Sequence, residues 1–226
     1  MKKLILLMLL NMFIVIQVFS QERIITDNEL SAKINKSTQS LKGRIYRLRT
    51  TIITEVDGIQ QSQNRILVRE FNPPDRRRYV SELIMPNTKR VVETIIIGDK
   101  KYVRNDSESW VVSNVASKIP KEKIPSKNVR KVQIISTEVK YVGKDVLNGK
   151  SLDVYEQLTK TKLTSEKSKS FTDLEQKSKY WFDAAGFVIK YTNEELNLSA
   201  PMKLITRQTW IYEYDDGIKI EAPKMP

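Results

Sequence analysis

Turn-forming dipeptides divide this chain more firmly than any other feature it has. Asp57-Gly58, Gly98-Asp99 and Asn148-Gly149, with the stretch Asp183 to Gly186, each fall between runs in which apolar and polar residues alternate. Asp-Gly and Asn-Gly supply the φ > 0 backbone that tight hairpin loops need, and a period of two marks strands with one buried face. In the first run Tyr46, Leu48, Ile52 and Val56 share a side, while Arg47, Arg49 and Glu55 take the other. Asn72-Pro73-Pro74-Asp75 and Pro86-Asn87-Thr88 break the pattern before it resumes. Near the C-terminus Met202, Leu204, Trp210, Tyr212 and Tyr214 again share one face, and "GIKIEAP" reads as a last short strand. The alternation predicts about ten strands joined mostly by tight turns. Two polar stretches read differently: Ser117 to Lys131, with Pro120 and Pro125, as a loop, and the Lys/Ser/Thr-rich Thr159 to Lys179 as a mobile excursion.

One helix is expected. Thr26 and Glu29 form a capping box, Leu30, Ile34 and Leu41 fall on one face, and Gly43 suits the C′ position. So many long strands must coil or close to bury their apolar side. The fold class is therefore mainly β (α+β): a strongly curved antiparallel half-barrel with the N-terminal helix over its concave face. Ahead of it, "MKKLILLMLLNMFIVIQVFSQER" has the three-part pattern of a secretory signal peptide, with cleavage near Ser20. Its apolar part, Leu4 to Phe19 with Asn11 and Gln17 inside it, is shorter than the roughly 20 residues needed to cross a bilayer. The expectation is a signal peptide over residues 1–20 and a single domain over 21–226, exported to the periplasm. Without cysteine, it has no residue for lipid attachment.

The absence of cysteine and histidine also excludes disulfides, thiol nucleophiles, Cys/His zinc sites and Ser-His-Asp triads. Carboxylate chemistry, Ser-Lys dyads and oxygen-ligated cations remain, and the sequence offers them little. Glu194-Glu195 and Asp215-Asp216 are neighbours, so on a strand they point to opposite faces. Asp57 and Asp99 lack the ligand spacing of a calcium loop, and Ser117-Lys118 sits in a polar loop where a lysine pKa would not be depressed. No catalytic residue, cofactor or metal is expected. The formal net charge of +12 favours anionic partners, which for an exported protein means anionic headgroups or an acidic protein rather than nucleic acid. Arg76, Arg77 and Arg78 alternate faces, so at most two share a side; Arg76 and Arg78 are the headgroup candidates.

The order of these features, with "IIIGDKKYVRNDSESW", "LNGKSLDVYE", "YWFDAAGFVIKY" and the closing "GIKIEAP", resembles the periplasmic LolA-like carriers and the LppX-type lipoprotein family over most of the chain beyond the signal. That resemblance implies a half-open curved sheet enclosing an apolar cavity for acyl chains of lipids or lipoproteins, and binding or transfer rather than catalysis. It implies covering helices in the region that is here the proline-broken Ser117 to Lys131. Each aromatic on a strand face is accounted for singly by packing against the helix; together the sheet exceeds what one helix covers, so a cavity or a partner is expected. The cavity candidates are Leu30, Ile34, Tyr46, Leu48, Ile52, Leu204, Trp210 and Tyr212. The function expected is envelope lipid or lipoprotein transport, with peripheral membrane contact; the alternative is an interaction or stress-sensing module of the same fold with an envelope protein as partner.

Overall fold

The computed structural model describes residues 23–61, 64–115, 130–165 and 171–225; the signal segment lies outside them. Strand β1 (Arg23–Ile25) leads into helix α1 (Asp27–Ser40), and the chain then forms β2 (Tyr46–Val56), β3 (Ile59–Gln60), β4 (Asn64–Asn72), β5 (Arg76–Ile84), β6 (Lys89–Ile97), β7 (Lys100–Asn105) and β8 (Val111–Asn114). It continues as β9 (Arg130–Leu147), β10 (Lys150–Ser165), β11 (Phe171–Phe182), β12 (Val188–Asn197) and β13 (Leu204–Glu213). All belong to one 13-stranded sheet, in the order β1-β9-β10-β11-β12-β13-β2-β4-β5-β6-β7-β8, with β3 paired to β2. Every recorded pairing is antiparallel. The path is open, since β1 and β8 end it without meeting, and the sheet is curled as the alternation predicts.

Local chemistry explains the elements. Asn148 and Gly149, with φ of 52° and 76°, are the two φ > 0 residues of the hairpin joining β9 to β10, the longest pair of strands. Bends come from two register shifts in that pair, between Val154 and Tyr155 and between Lys160 and Thr161; one extra residue on β9 at each bends the strand and sharpens its twist. At the start of α1 the Thr26 hydroxyl accepts the Glu29 N–H at 3.2 Å, and the Glu29 carboxylate pairs with Arg23 at 3.3 Å. The helix ends one residue earlier than the glycine position implied: Leu41 is the C-cap, and Gly43 follows two residues on with φ 79°.

Residues directly paired across strands share a side of the sheet, which divides the molecule into an inner face, under α1, and an outer one. Ile25, Leu30, Val139, Tyr155, Phe182 and Val188 form the inner core. On the outer face Leu152, Val154 and Trp181 cluster at one end, and Ile95 packs with Ile218 and Ile220 at the other. Between them runs a ladder of alternating charge: Glu213, Arg47, Glu70, Arg78, Glu93 and Arg104, on six successive strands, each joined to the next at 2.6–3.3 Å. Glu70 and Glu93 are buried, which the two arginines flanking each make tolerable.

Three expectations change. Thr159 to Lys179 is no loose excursion over its described part: β10 runs to Ser165 and β11 starts at Phe171, paired from Asp153↔Phe182 to Thr164↔Phe171. Its polar composition reflects a ribbon with little apolar surface, held in register by its base and by pairs such as Lys160–Glu175 at 3.7 Å. The terminal "GIKIEAP" belongs to no strand; Ile218 and Ile220 are buried because side chains replace the ladder, Asn72 Nδ2 donating to the Ile218 carbonyl at 3.0 Å and Arg76 Nη1 to that of Ile220 at 2.9 Å. The described strands number 13 rather than about ten. The expected loop at Ser117 to Lys131 lies outside the described residues except for Arg130 and Lys131, which open β9.

Removing Glu70 leaves Arg47 and Arg78 without their shared buried partner. Glu70→Ala is expected to cost about 3 kcal/mol, the low end for a broken buried pair because both guanidiniums reach solvent. Arg49→Ala, on the same face and forming no ion pair with a described residue, should stay within about 0.5 kcal/mol of wild type. Urea unfolding of both variants measures the difference, and equal midpoints would show that the ladder does not hold the sheet.

Candidate ligand-binding site

Helix α1 reaches the sheet along Leu30, Ile34, Ser37 and Leu41. Leu30 is fully buried. Two hydrogen bonds fix the helix: Val188 N–H donates to Ser37 Oγ at 2.9 Å, and Gln157 Nε2 donates to Asp27 Oδ1 at 2.7 Å. The first half of the helix packs tightly over Tyr155, Phe182 and Val139. Its second half stands over a cavity of about 240 Å³, lined by Ile34, Ser37, Thr38 and Leu41 from above and by Tyr180, Val188, Tyr191, Trp210 and Tyr212 from the sheet. That is a little below the usual range for small-molecule pockets, enough for part of a flexible chain.

The cavity floor is aromatic because β11, β12 and β13 place one ring each in the same cross-strand rows: Tyr180↔Tyr191 and Tyr191↔Trp210. Ring centroids are 4.7 Å and 5.1 Å apart in those two pairs. Trp210 Nε1 is buried with no hydrogen-bond partner among the described residues, an unmet donor in a wall that is mostly apolar. A larger hollow, about 380 Å³, lies on the outer face. Charges line it and pair across it, Lys179 with Glu156 and Arg207 with both Glu194 and Glu55. Those groups satisfy one another, so the inner cavity is the better candidate.

Of the residues singled out in the sequence, Ile34, Trp210 and Tyr212 line this cavity. Leu30 is beside it in the closed core. Leu48 is buried on the inner face opposite Tyr212, and Tyr46 is stacked on Phe71 at 4.6 Å. Ile52 and Leu204 share that face farther along the strands, opposite Gln208 and Val56, and line none of the cavity. Arg76 and Arg78 are on the other side of the sheet: Arg76 binds the Ile220 carbonyl, and Arg78 is held between Glu70 and Glu93. Sequence reasoning passed over Tyr180, Val188 and Tyr191: a register shift between Trp181 and Phe182 puts Val188 and Tyr191, three positions apart, on one side, which strict alternation does not predict; it also passed over Ser37. Glu194 and Glu195 take opposite faces, Glu194 pairing with Arg207 at 2.7 Å.

The class these features define is a half-barrel fold: an open curled sheet with, among the described residues, one helix laid on its inner face over a largely apolar hollow. No protein-family model matches the chain, and no curated protein matches its sequence. Among solved structures it is similar to LprF from Mycobacterium bovis, with 11% identity, 87% of this chain and 98% of that one covered, and a TM-score of 0.40. It is also similar to a LolA superfamily protein from Nitrosomonas europaea, with 8% identity, 82% and 93% covered and a TM-score of 0.29. A third is an outer membrane lipoprotein-sorting protein domain from Vibrio parahaemolyticus, with 10% identity, 84% and 95% covered and a TM-score of 0.26. These likenesses are of fold alone.

Burial raises the phenol pKa of Tyr180, Tyr212 and Tyr214 above the ordinary value. The folded chain therefore holds these protons more tightly than the unfolded one. That contributes stability which is complete below the unfolded phenol pKa of about 10 and is lost as pH climbs from there through the raised folded values. The urea midpoint is expected to be flat up to about pH 9 and to fall above about pH 10. Tyr212→Phe, which removes a phenol making no hydrogen bond to a described residue, should make that fall shallower; an unchanged slope would mean its hydroxyl is not buried.

Proposed function

We propose that this protein is an exported, non-enzymatic binding protein that holds acyl chains of a lipid or lipoprotein on the inner face of its sheet, in envelope lipid or lipoprotein transport. The observation that carries the reading is the cavity under the second half of α1. Its aromatic and aliphatic lining has the composition of a site that selects by burial rather than by polar contacts. Each methylene buried there contributes roughly 0.8 kcal/mol, so part of one chain gives useful affinity without a fixed polar anchor. The signal-like N-terminus supports export. Among the described residues no helix is long and apolar enough to cross a membrane.

A second reading rests on one edge of the sheet. Strand β8 ends the strand order with all four residues exposed, Val111 and Val112 among them. An edge left open by the described residues offers main-chain hydrogen bonds to an added strand from an envelope protein.

Native mass spectrometry with lipid extraction, on protein purified from its own envelope, separates the two. A stoichiometric acylated ligand is expected, and Ile34→Trp, which fills the cavity from the helix side, is expected to empty it while the thermal midpoint stays near wild type. Ligand-free protein carrying a second polypeptide would overturn the carrier reading and favour the edge.

A further inference from the structure

The inner face continues past the cavity onto β2 and β4 to β8, and its charge there is one-sided. All four glutamates of these strands, Glu55, Glu70, Glu82 and Glu93, lie on the outer face, where each has a basic partner. The inner face carries Arg65, Arg69, Arg77, Arg90 and Lys101, as the pairings Ile52↔Arg65↔Leu83↔Arg90, Leu48↔Arg69↔Tyr79 and Tyr46↔Phe71↔Arg77↔Ile96↔Lys101 require. All five are exposed, and none forms an ion pair with a described residue. Uncompensated like charges repel, and a face that gathers five of them with no acid attracts an anion.

Of the five, Arg69 is nearest the cavity, and Arg77 follows one strand farther out. Arg69 lies in the row Tyr212↔Leu48↔Arg69, two strand spacings or about 10 Å from a residue that lines the hollow. Arg77 is in the next row, beside Phe71, whose ring stacks on Tyr46. Both guanidiniums act on the Tyr46 phenol, and Arg69 acts on that of Tyr212, lowering pKa values that burial raises. The hollow, the Tyr46–Phe71–Tyr79 aromatic steps and the two arginines thus form one continuous strip, apolar at one end and cationic at the other.

From this strip we infer that the ligand is an anionic amphiphile, its chain under α1 and its carboxylate or phosphate head held by Arg69 and Arg77. The inference rests on the acyl-chain reading above and adds the class of headgroup. Guanidinium pairs suit either acid, through two parallel N–H donors per oxyanion. Arg76, between β4 and the C-terminal segment, and Arg78, inside the outer ladder, take no part.

The test is a titration of the full chain, followed by tryptophan fluorescence at low ionic strength, with three probes of equal chain length below their micellar concentrations: dodecanoate, dodecyl phosphate and uncharged methyl dodecanoate. The anions are expected to bind about tenfold or more tightly than the ester, the worth of one charge-assisted hydrogen bond. Arg69→Gln/Arg77→Gln should remove that preference and leave ester binding unchanged; Arg49→Gln, on the outer face, should change neither. Circular dichroism and urea unfolding confirm that the variants are folded. Preference for dodecanoate over dodecyl phosphate, or the reverse, assigns the head to a fatty acid or to a phospholipid. Equal binding of ester and anions by wild type, or an equal loss of all three in the double variant, would overturn the headgroup assignment alone. No binding of any probe would overturn the acyl-chain reading with it.

Discussion

Packing of α1 on the inner face is the contact from which the rest of the architecture follows. An open sheet of 13 strands has two surfaces to satisfy and, among the described residues, one helix with which to do it. Leu30 is sealed against Val139, Tyr155 and Phe182, so the N-terminal half of the helix covers the core on the β9–β12 side. The same rigid rod, carried on over β12 and β13, stands off far enough to leave the hollow above Tyr191 and Trp210. A helix curved with the sheet would have filled it. Hollow and seal are two consequences of laying a straight element on a curled one.

The outer face solves a different problem. Among the described residues neither helix nor second sheet covers it, and its strands alternate arginine with glutamate so that neighbours neutralise one another across the sheet. Burial of Glu70 and Glu93 is tolerable only because each has two guanidiniums. Drawing every acid of β2 and β4 to β7 to one side leaves the other side cationic, so the charge of the inner strip is in part the remainder of the ladder. Stability on one face and polarity on the other come from a single distribution of residues.

Much of this was legible in the sequence. The helix with its Thr26 cap, the Asn148-Gly149 hairpin and the curled antiparallel sheet follow from period and turn chemistry, which are local. Ile34, Trp210 and Tyr212 were recognisable because alternation assigns them a face. Which face is inner is not local, and Arg76, Arg77 and Arg78 show the consequence: the two residues that share a side turn outward, and the middle one turns in. Strands β10 and β11 read as loop where they are polar on both sides, since hydrophobic contrast is the signal that periodicity needs. The C-terminal segment read as strand because Ile218 and Ile220 alternate, yet its carbonyls find Asn72 and Arg76 instead of a neighbouring backbone.

The attachment of α1 has one more consequence. The helix meets the remainder of the protein along a single stripe, through a few apolar contacts and the bonds at Ser37 and Asp27, whereas each sheet strand is knitted to its neighbours along its length. The helix is therefore the segment expected to open first, ahead of the paired strands. Its amide protons would then exchange with solvent through that partial opening, far ahead of those in β10 and β11. The rate at which the hollow is uncovered belongs to that segment, and it can be tuned in α1 with little change to the global stability of the fold.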